Sequence, residues 1–476
     1  MSFRFAAYTL GCKVSQYETE AVSEELIGYG FSEVDFSEVA DAYIINTCTV
    51  TAESDAKSRK YIRRAKRQNP NAIVAVMGCY SQRAAEEVAL IDGVSIVLGT
   101  ADKMLAPPLV YRLLAERSGD SLTVGKFNSC VLLPLEFKMG LGADIDENTK
   151  KCYELLTKSL DLPLVITKNL EGEGFENMKI TRSQRTRAYV KIEDGCESRC
   201  TYCAIAAARG PVRSKCPRDV IEEVRGLAKS GTREIVLTGI ETGSYGADFT
   251  EEYDLGDLIA ELDRQGSCER IRLGSLAPEL MGERFVSKVR DTKILAPHFH
   301  LSMQSGSDSV LRRMKRRYNV EMAMRNMELL RRAFPRATFT TDLMVGFPGE
   351  SEEDFLATCE LVEKAGFLDC HVFAYSKRAG TPAAEYDGQV PEAVKKERSE
   401  RLIKHKNAVR DRLLDEVLHS GESLSCIFET KSGKLWTGHS DTFIEVRVES
   451  DEELAGELRE VIPQYVRNGI IYGKLA

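Results

Sequence analysis

The sequence lacks the features that carry a protein into or across a membrane. No apolar run reaches the ~18 residues of a membrane span, and the amino terminus shows no charged segment followed by an apolar one. The six histidines form no metal-binding pattern, and no low-complexity tract is present. We therefore expect a cytoplasmic protein with no membrane partner.

Length, composition and charge are those of an ordinary globular protein. At about 150 residues per domain, 476 residues predict about three domains. Thirteen cysteines, an odd number, do not predict disulfides, because cytosolic thiols are kept reduced. Cysteines at ligand spacing instead favour a metal or cluster site. The net charge of −8 argues weakly against nucleic acid as a partner, but local basic segments weigh more than the sum.

The pattern of apolar runs predicts an α/β protein in four parts. Residues 1–115 alternate short apolar runs with helical patterns, which predicts a doubly wound domain with a parallel sheet. Residues 116–180 have weak periodicity and are interpreted as a linker or insertion, partly helical over 146–160. Residues 181–411 contain six β-α units, which predict a partial (β/α)6 barrel rather than the complete eight-unit form. Residues 412–476 predict a small antiparallel β-barrel.

The two α/β regions contain ten predicted strands, which are Phe3–Leu10, Ala42–Thr47, Ala72–Met77, Ser95–Leu98, Arg187–Ile192, Glu234–Thr238, Arg270–Leu273, His298–Met303, Thr338–Val345 and Cys370–Tyr375. The last region has four, which are Ser423–Glu429, Leu435–His439, Thr442–Val448 and Glu457–Pro463. Helical patterns lie between them, and three of these, Ser81–Ala89, Pro278–Val289 and Ser307–Arg332, are each predicted as one helix.

The segment DGCESRCTYC provides the strongest local signal. Its Cys196, Cys200 and Cys203 have C-x3-C-x2-C spacing directly after a predicted strand, so three thiolates can hold three irons of a cubane cluster. The fourth iron is then open to a substrate or cofactor. The alternative is a structural zinc site with Cys216 as fourth ligand, and spacing alone does not decide between the two. The position at the carboxyl end of the first barrel strand favours the cluster.

Three further cysteines each follow a predicted strand of the first domain. Cys12, Cys48 and Cys79 come after the first, second and third of these strands. Ligands collect beyond the carboxyl ends of an open parallel sheet, so we expect the three thiols at one edge. Cysteine is often merely buried, but three strand ends that each deliver one thiol favour a second cluster site.

Two basic segments stand out in the acidic chain. KSRKYIRRAKR at 57–67 and RRMKRR at 312–317 favour contact with nucleic acid phosphates over ordinary solvated helix faces. Four residues are the candidate RNA contacts, namely Arg63, Arg64, Lys66 and Arg213.

The cysteine loop, with an aromatic Tyr202 before its last cysteine, resembles the radical S-adenosylmethionine family. The resemblance implies that the open iron chelates S-adenosylmethionine, whose reductive cleavage yields a 5′-deoxyadenosyl radical. Candidate cofactor contacts at the barrel strand ends are Tyr202, Gly239, Glu241, Ser275, Gln304, Asp342 and Tyr375. Each has a turn or packing role as its alternative, and the function is favoured most for Glu241 and Asp342, because acidic groups at such an edge need a partner.

The whole chain except residues 116–180 resembles the methylthiotransferases, and its terminal barrel is similar to their RNA-contacting TRAM module. The supporting segments are ARGPVRSK, LTGIETGSYG, HFHLSMQSGSDSVLRRMKRRY, TTDLMVGFPGESEEDF and FAYSKRAGTPAA. GCKVSQYETE at 11–20 resembles the form found in threonylcarbamoyladenosine tRNA methylthiotransferases, with Ser15 in place of asparagine. Ala206-Ala207 and Ala277 also depart from the usual motifs.

This resemblance implies a methylthio transfer to C2 of N6-threonylcarbamoyladenosine at tRNA position 37. It implies two 4Fe-4S clusters, one on each group of three cysteines, together with S-adenosylmethionine. The implied partners are the tRNA anticodon stem-loop and an electron donor such as flavodoxin or ferredoxin. The alternatives are a methylthiotransferase acting on a different tRNA adenosine or a ribosomal protein, and a non-catalytic RNA-binding protein with zinc sites.

Overall fold

The computed structural model describes residues 3–118 and 162–476, which form two compact units. The first unit is drawn from Met1–Ile180 together with Ala207–Gly210, and the second from Thr181–Ala206 together with Pro211–Ala476. The predicted helical stretch at 146–160 lies outside the described residues. Among the residues that are described, no helix is long and apolar enough to cross a membrane.

The first unit is built on a six-stranded parallel sheet with the order β2-β1-β3-β4-β5-β6. Its strands are β1 Arg4–Thr9, β2 Ser32–Glu33, β3 Ala42–Thr47, β4 Ile73–Gly78, β5 Val94–Leu98 and β6 Leu164–Ile166. Every residue of β3, β4 and β5 is buried, as expected for central strands covered on both faces. The four predicted strands are confirmed to within two residues.

Helices cover both faces of this sheet, and alternate strand residues enter two separate cores. Tyr43 and Ile45 pack in one core, whereas Ala42 and Ile44 pack in the other. The helices are α1 Lys13–Gly28, α2 Ala52–Gln68, α3 Cys79–Arg83, α4 Ala85–Ala89 and α5 Ala106–Ser118. The single helix predicted over Ser81–Ala89 is wrong, because Ala84 has non-helical backbone angles and separates α3 from α4.

Part of the predicted linker belongs to the sheet of the first unit. β6 pairs in parallel with β5 through Ile96 and Leu164. A strand of three residues beside Pro163 is too short to give a periodic signal, so the sequence did not predict it.

In the second unit, parallel strands form two neighbouring sheets, with the orders β11-β10-β7 and β12-β13-β14-β15. A two-stranded antiparallel pair, β8 with β9, flanks the cysteine loop. The strands are β7 Arg187–Lys191, β8 Glu193–Asp194, β9 Arg213–Ser214, β10 Glu234–Thr238, β11 Arg270–Leu273, β12 Ser275–Leu276, β13 His298–Gln304, β14 Thr338–Val345 and β15 Asp369–Ala374. The six strands predicted here are confirmed. The strands of the predicted partial (β/α)6 barrel are divided between two sheets after β11, with one bridge between Ile271 and Leu295.

The helices of the second unit follow the strands as predicted, with two exceptions. They are α6 Ile205–Arg209, α7 Pro217–Lys229, α8 Leu255–Arg264, α9 Glu283–Val289, α10 Asp308–Arg313, α11 Val320–Ala333, α12 Glu352–Ala365 and α13 Glu392–Ser420, of which only the first two residues of α6 belong to this unit. The helix predicted over Ser307–Arg332 divides at Lys315, whose φ is 56°, and Asn319 caps the new start. The helix predicted over Pro278–Val289 opens with a 3-10 turn before α9.

The chain ends in a closed five-stranded barrel with the order β16-β17-β18-β20-β19. Its strands are β16 Leu424–Ser432, β17 Leu435–Ser440, β18 Glu445–Glu449, β19 Leu458–Arg467 and β20 Ile470–Leu475. The expectation of a wholly antiparallel barrel is wrong at one pair, because β18 and β20 run parallel where the barrel closes. The boundary predicted at residue 412 lies inside α13, which continues to Ser420.

A buried ion-pair network joins the barrel to the parallel strands within the second unit. Glu234 is fully buried and accepts from the Arg272 Nε at 2.8 Å. Arg272 also donates to the backbone carbonyl oxygens of Ser440 and Asp441, both at 3.0 Å. One carboxylate therefore orients an arginine that holds the barrel.

Candidate functional site

Cys12, Cys48 and Cys79 each directly follow one of three adjacent parallel strands in the first unit. Cys12 caps α1 after β1, Cys48 follows β3, and Cys79 begins α3 after β4. The order β1-β3-β4 makes these strands neighbours. The strands deliver their carboxyl ends to the same edge, which is where open parallel sheets bind ligands.

A backbone turn positions Cys79, and a buried serine contacts Cys12. Gly78, before Cys79, has a φ of 103°, and a Cβ there would lie 2.4 Å from the Asn46 Oδ1, so only glycine fits. The Asn46 Nδ2 donates to the Ser15 carbonyl oxygen at 2.9 Å. Ser15, which departs from the expected motif, is buried with its Oγ 3.9 Å from the Cys12 Sγ.

Cys79 contacts a buried arginine from a distant part of the chain. The Arg209 Nε donates to the Cys79 Sγ at 3.2 Å, across 130 residues of sequence. Arg209 also forms a two-pronged ion pair with Glu18, at 2.5 and 3.2 Å. Arg209 and Glu18 are both fully buried, and the segment Ala207–Gly210 belongs to the first unit.

Burial determines the acidity of these thiols. It raises the pKa of Cys79 to about 11, although Arg209 acts in the opposite direction. Burial also raises the pKa of Cys48, where a hydrogen bond from the Val50 backbone opposes it. Both thiols therefore need a strong electrostatic partner, such as a metal, to ionise at neutral pH.

The C-x3-C-x2-C loop of the second unit begins at a buried acidic residue. The Asp194 Oδ1 accepts from the Gly195 backbone, and its Oδ2 lies 2.6 Å from the Lys191 Nζ. Further along, Thr201 donates through its backbone to the Met314 carbonyl oxygen and accepts from the Ala383 backbone. The loop is therefore fixed at both its start and its middle.

Each sulfur of this loop accepts at least one N–H hydrogen bond. Cys196 accepts from the Ser198 backbone, and Cys203 accepts from the Ile205 backbone, both at 3.4 Å. Cys200 accepts from the Arg316 Nη1 at 3.2 Å. Such bonds stabilise ionised sulfur and tune iron–sulfur clusters.

Glu241 and Gly239 lie together around Glu193. Burial raises the pKa of Glu241 to about 7, and its Oε1 accepts from the Ala277 backbone at 2.8 Å. The Glu241 backbone donates to the Glu193 Oε2 at 2.9 Å, and a Cβ at Gly239 would lie 2.4 Å from that same oxygen. Gly239 therefore allows the close approach of a fully buried carboxyl group.

The remaining predicted cofactor contacts lie on the second sheet and beside it. Ser275 pairs with His300 across β12 and β13, and Gln304 ends β13 with a left-handed φ of 61°. Asp342 on β14 lies 3.4 Å from the His300 Nε2 and 3.3 Å from the His371 Nδ1. Hydrogen bonds from these histidines lower the pKa of Asp342, although burial opposes them.

Tyr202 and Tyr375 pack against one hydrophobic cluster. Phe347 lies 6.5 Å from the Tyr202 ring and 5.5 Å from the Tyr375 ring, each edge to face. The hydroxyl of Tyr375 is buried and has no hydrogen-bond partner among the described residues. These contacts support a packing role for both rings.

The predicted RNA contacts differ in their exposure. Arg63 is exposed on α2, whereas Arg64 lies 5.7 Å from the Phe36 ring and Lys66 donates to the Pro70 carbonyl oxygen. The same helix also exposes Lys60 and Arg67.

Arg213 requires a correction. It is buried, at 4% exposed, and its Nη2 lies 3.4 Å from the Asp194 Oδ2. A guanidinium paired inside the protein cannot reach RNA phosphates, so the predicted contact at Arg213 is wrong.

Sequence reasoning missed Arg209, Glu18, Arg316 and Glu193. Arg209 and Arg316 lie inside quoted motifs, but neither motif's spacing connects the arginine to a particular cysteine. Glu18 lies on the buried face of α1, which also carries Val14, Ala21 and Val22. The signal that the sequence offered for Glu18 was an acidic residue on a helix face predicted to be buried, with no cation nearby in the sequence, because a buried carboxylate needs a partner.

The donor set of both cysteine groups suits iron–sulfur clusters, in which each iron takes its own thiolate. Among residues 3–118 and 162–476, no three His, Cys, Asp or Glu side chains are arranged to hold one single metal ion. Cys216, the proposed fourth zinc ligand, is exposed immediately before α7.

Two family descriptions match the chain. "Radical SAM superfamily" matches residues 190–362, and "Uncharacterized protein family UPF0004" matches residues 4–99. Each match contains one of the two groups of three cysteines.

Named relatives cover nearly the whole chain. A Bacillus subtilis protein named threonylcarbamoyladenosine tRNA methylthiotransferase MtaB is 37% identical over 96% of this chain and 92% of its own. A Thermotoga maritima protein of the same name is 36% identical over 82% of this chain and 79% of its own. An Acetivibrio thermocellus protein named tRNA-2-methylthio-N(6)-dimethylallyladenosine synthase is 30% identical over 98% of this chain and 90% of its own.

Among solved structures, the radical S-adenosylmethionine methyltransferase TsrM from Kitasatospora setae, with cobalamin and a [4Fe-4S] cluster bound, is similar in fold. The TM-score is 0.52 at 16% identity, over 81% of this chain and 77% of that one. At this identity the likeness concerns the fold alone.

Proposed function

Because the chain belongs to the radical S-adenosylmethionine tRNA methylthiotransferases, we propose that its acceptor is N6-threonylcarbamoyladenosine beside the tRNA anticodon. We further propose that it works with two [4Fe-4S] clusters. One observation carries the proposal: each unit has its own group of three cysteines at strand ends or on a strand-end loop. The enzyme transfers a methylthio group, which needs both a radical centre and a source of sulfur.

Cys196, Cys200 and Cys203 would hold the cluster that binds S-adenosylmethionine, which supplies a 5′-deoxyadenosyl radical when bound. The loop's own hydrogen bonds support this role, because every sulfur accepts an N–H. Glu241, with a pKa of about 7, presents a carboxyl group that is partly ionised at neutral pH and suits the cofactor's ammonium group.

Cys12, Cys48 and Cys79 would hold the auxiliary cluster, which is the site of sulfur supply. Cys79 is buried, Cys48 is half-buried, and Cys12 is exposed. The exposed Cys12 leaves one side of the site open to the substrate.

Two surfaces suit the tRNA partner. Lys60, Arg63 and Arg67 of α2 are exposed and carry positive charge for phosphates. On the terminal barrel, Tyr465 is 49% exposed and stacks on Tyr472 with ring centroids 4.9 Å apart. Exposed aromatic rings stack with unpaired RNA bases. A one-electron donor such as flavodoxin or ferredoxin remains part of the proposal.

The choice of threonylcarbamoyladenosine rests on the GCKVSQYE motif and on the names of the relatives. Relatives with that activity in their names reach 37% identity, whereas relatives named as dimethylallyladenosine synthases reach 33%. The dimethylallyladenosine substrate is the second candidate.

The test combines metal analysis with nucleoside analysis. After anaerobic reconstitution, we expect about eight irons per chain, halved by Cys→Ala changes in either group of three cysteines. Zinc without iron would instead support the RNA-binding alternative. Mass spectrometry of tRNA from a strain lacking this gene should show loss of the 2-methylthio group from threonylcarbamoyladenosine, and complementation should restore it. Loss from dimethylallyladenosine alone would contradict the substrate.

A further inference from the structure

We propose that Arg209 is a positioning residue for the auxiliary cluster: its guanidinium orients the Cys79 sulfur and makes the cluster easier to reduce. The inference rests on the proposed function, since it concerns the cluster on Cys12, Cys48 and Cys79. It assigns a role to a residue that lies outside both groups of three cysteines.

The first step of the argument is the contact itself. The Arg209 Nε lies 3.2 Å from the Cys79 Sγ, a distance that suits a charge-assisted N–H bond to sulfur. Both residues are buried, so water does not compete for the bond.

The second step is the orientation of the guanidinium. Its two terminal nitrogens bind the two Glu18 oxygens, at 2.5 and 3.2 Å, which fixes the plane of the group. In that orientation the remaining Nε–H points to the sulfur. Lysine has no planar fork, so it cannot reproduce both contacts together.

The third step is the anchoring of the chain around Arg209. The Thr100 Oγ1 donates to the Ala208 carbonyl oxygen at 2.7 Å, in the buried interior of the first unit. Lys103 lies 3.2 Å from Glu18 and 3.0 Å from Glu176, so the carboxylate that orients Arg209 is itself held. The position of Arg209 beside Cys79 is therefore fixed by a network of hydrogen bonds and ion pairs.

The charges of this network predict the direction of the effect. Arg209 and Lys103 balance Glu18 and Glu176, so the nearest charge to the sulfur is positive while the network as a whole is neutral. Hydrogen bonds to cluster sulfurs and nearby positive charge favour the reduced form. Removing Arg209 should lower the reduction potential, and neutralising Glu18 should raise it.

The experiment isolates the auxiliary cluster in the full chain. Cys196, Cys200 and Cys203 are replaced by alanine, the protein is reconstituted anaerobically, and the potential is measured by an EPR-monitored dithionite titration. In this background we compare Arg209→Met, Arg209→Lys and Glu18→Gln. Arg112→Met is the matched control, because it removes another buried arginine of the same unit, one whose Nε binds Glu116.

We expect Arg209→Met to make the one-electron reduction at least tenfold less favourable, a shift of about −59 mV. Glu18→Gln should shift the potential in the positive direction, Arg209→Lys should give a smaller negative shift than methionine, and Arg112→Met should give none. A general loosening of the site would not produce opposite signs. If Arg209→Met fails to load iron, Arg209→Lys and Glu18→Gln still test the signs.

Unchanged potentials in Arg209→Met and Glu18→Gln proteins that hold about four irons would overturn the role of Arg209 alone. Shifts of the same sign in both would also overturn it. If the background protein with native Arg209 binds no iron, the auxiliary cluster and the role of Arg209 both fail. The two failures are therefore distinguished by the iron content.

Discussion

The guanidinium of Arg316 donates to the sulfur of Cys200 at 3.2 Å, in the middle of the C-x3-C-x2-C loop. Its other nitrogens donate to the Tyr318 hydroxyl and to the Ser302 carbonyl oxygen, which holds the group in place. The first unit has the same kind of pair in Arg209 and Cys79, also at 3.2 Å. In each unit, one arginine outside the group of three cysteines donates a hydrogen bond to the sulfur of one of those cysteines.

Replacement of Arg316 should weaken the loop cluster. A hydrogen bond to a charged group contributes ~1.5–3 kcal/mol, so Arg316→Met should accelerate iron loss to a chelator by about tenfold or more. The measurement uses a protein whose Cys12, Cys48 and Cys79 are alanine. Arg317→Met is the control, because Arg317 donates to the Glu197 carbonyl oxygen and is exposed. Equal iron loss in both variants would contradict the role of the sulfur contact.

Binding of S-adenosylmethionine should depend on the ionisation of Glu241. Burial raises the pKa of this group to about 7, so its ionised fraction increases about eightfold between about pH 6 and about pH 7.5. Affinity measured by calorimetry should strengthen by a similar factor, and Glu241→Gln should bind weakly with no such dependence. A native pH profile in the Gln variant would exclude Glu241 as the ammonium partner.

The same group should affect stability in the opposite direction. The pKa of Glu241 in the folded protein lies above its unfolded value of about 4.5. The stabilisation that Glu241 gives the folded state is therefore fully present below about pH 4.5 and is lost as the pH rises through about 7. The difference in unfolding free energy between the native protein and Glu241→Gln should therefore change across this range. A constant difference would show that the folded pKa is not raised.

Removal of the Glu234 carboxylate should destabilise the second unit strongly. Glu234→Ala would leave Arg272 and Arg270 buried without their counter-ion, which typically costs ~3–5 kcal/mol. Glu269→Ala, which removes an exposed partner of Arg233, should cost less than ~1 kcal/mol. Urea unfolding of both proteins gives the comparison. Similar costs for the two changes would contradict the role of the buried network.

Charge reversal on α2 should weaken tRNA binding and reduce its salt dependence. Each lost phosphate contact lowers the salt slope by ~0.7–0.9, so glutamate at Lys60, Arg63 and Arg67 should lower it by about two to three. A control protein carries glutamate at exposed basic residues elsewhere, at Arg325, Lys396 and Lys404. Filter binding over a salt series measures both proteins. A slope that falls equally in both would indicate a non-specific charge effect.

The sequence predicted the strand ends well because buried parallel strands appear as apolar runs. Cys48 and Cys79 directly follow such runs, so their common edge could be inferred without coordinates. Arg209 could not be inferred in the same way, because its contact with Cys79 spans 130 residues and no periodicity records it. The parallel pairing of β18 with β20 was missed for a similar reason, since barrel closure is not a local property.

The sequence alone determined where the two groups of cysteines lie, because a thiolate loop with fixed spacing and strand-end cysteines are local patterns. The reaction class was implied by the resemblance of its motifs to those of the methylthiotransferases. The tertiary structure decided which side chains serve those cysteines. In the folded chain, Arg213 is buried beside Asp194, whereas Arg63 is exposed. Arg209 contacts both Cys79 and Glu18. The physical reason is burial: a charged side chain removed from water must find a partner, and only the folded chain determines which partner lies within reach.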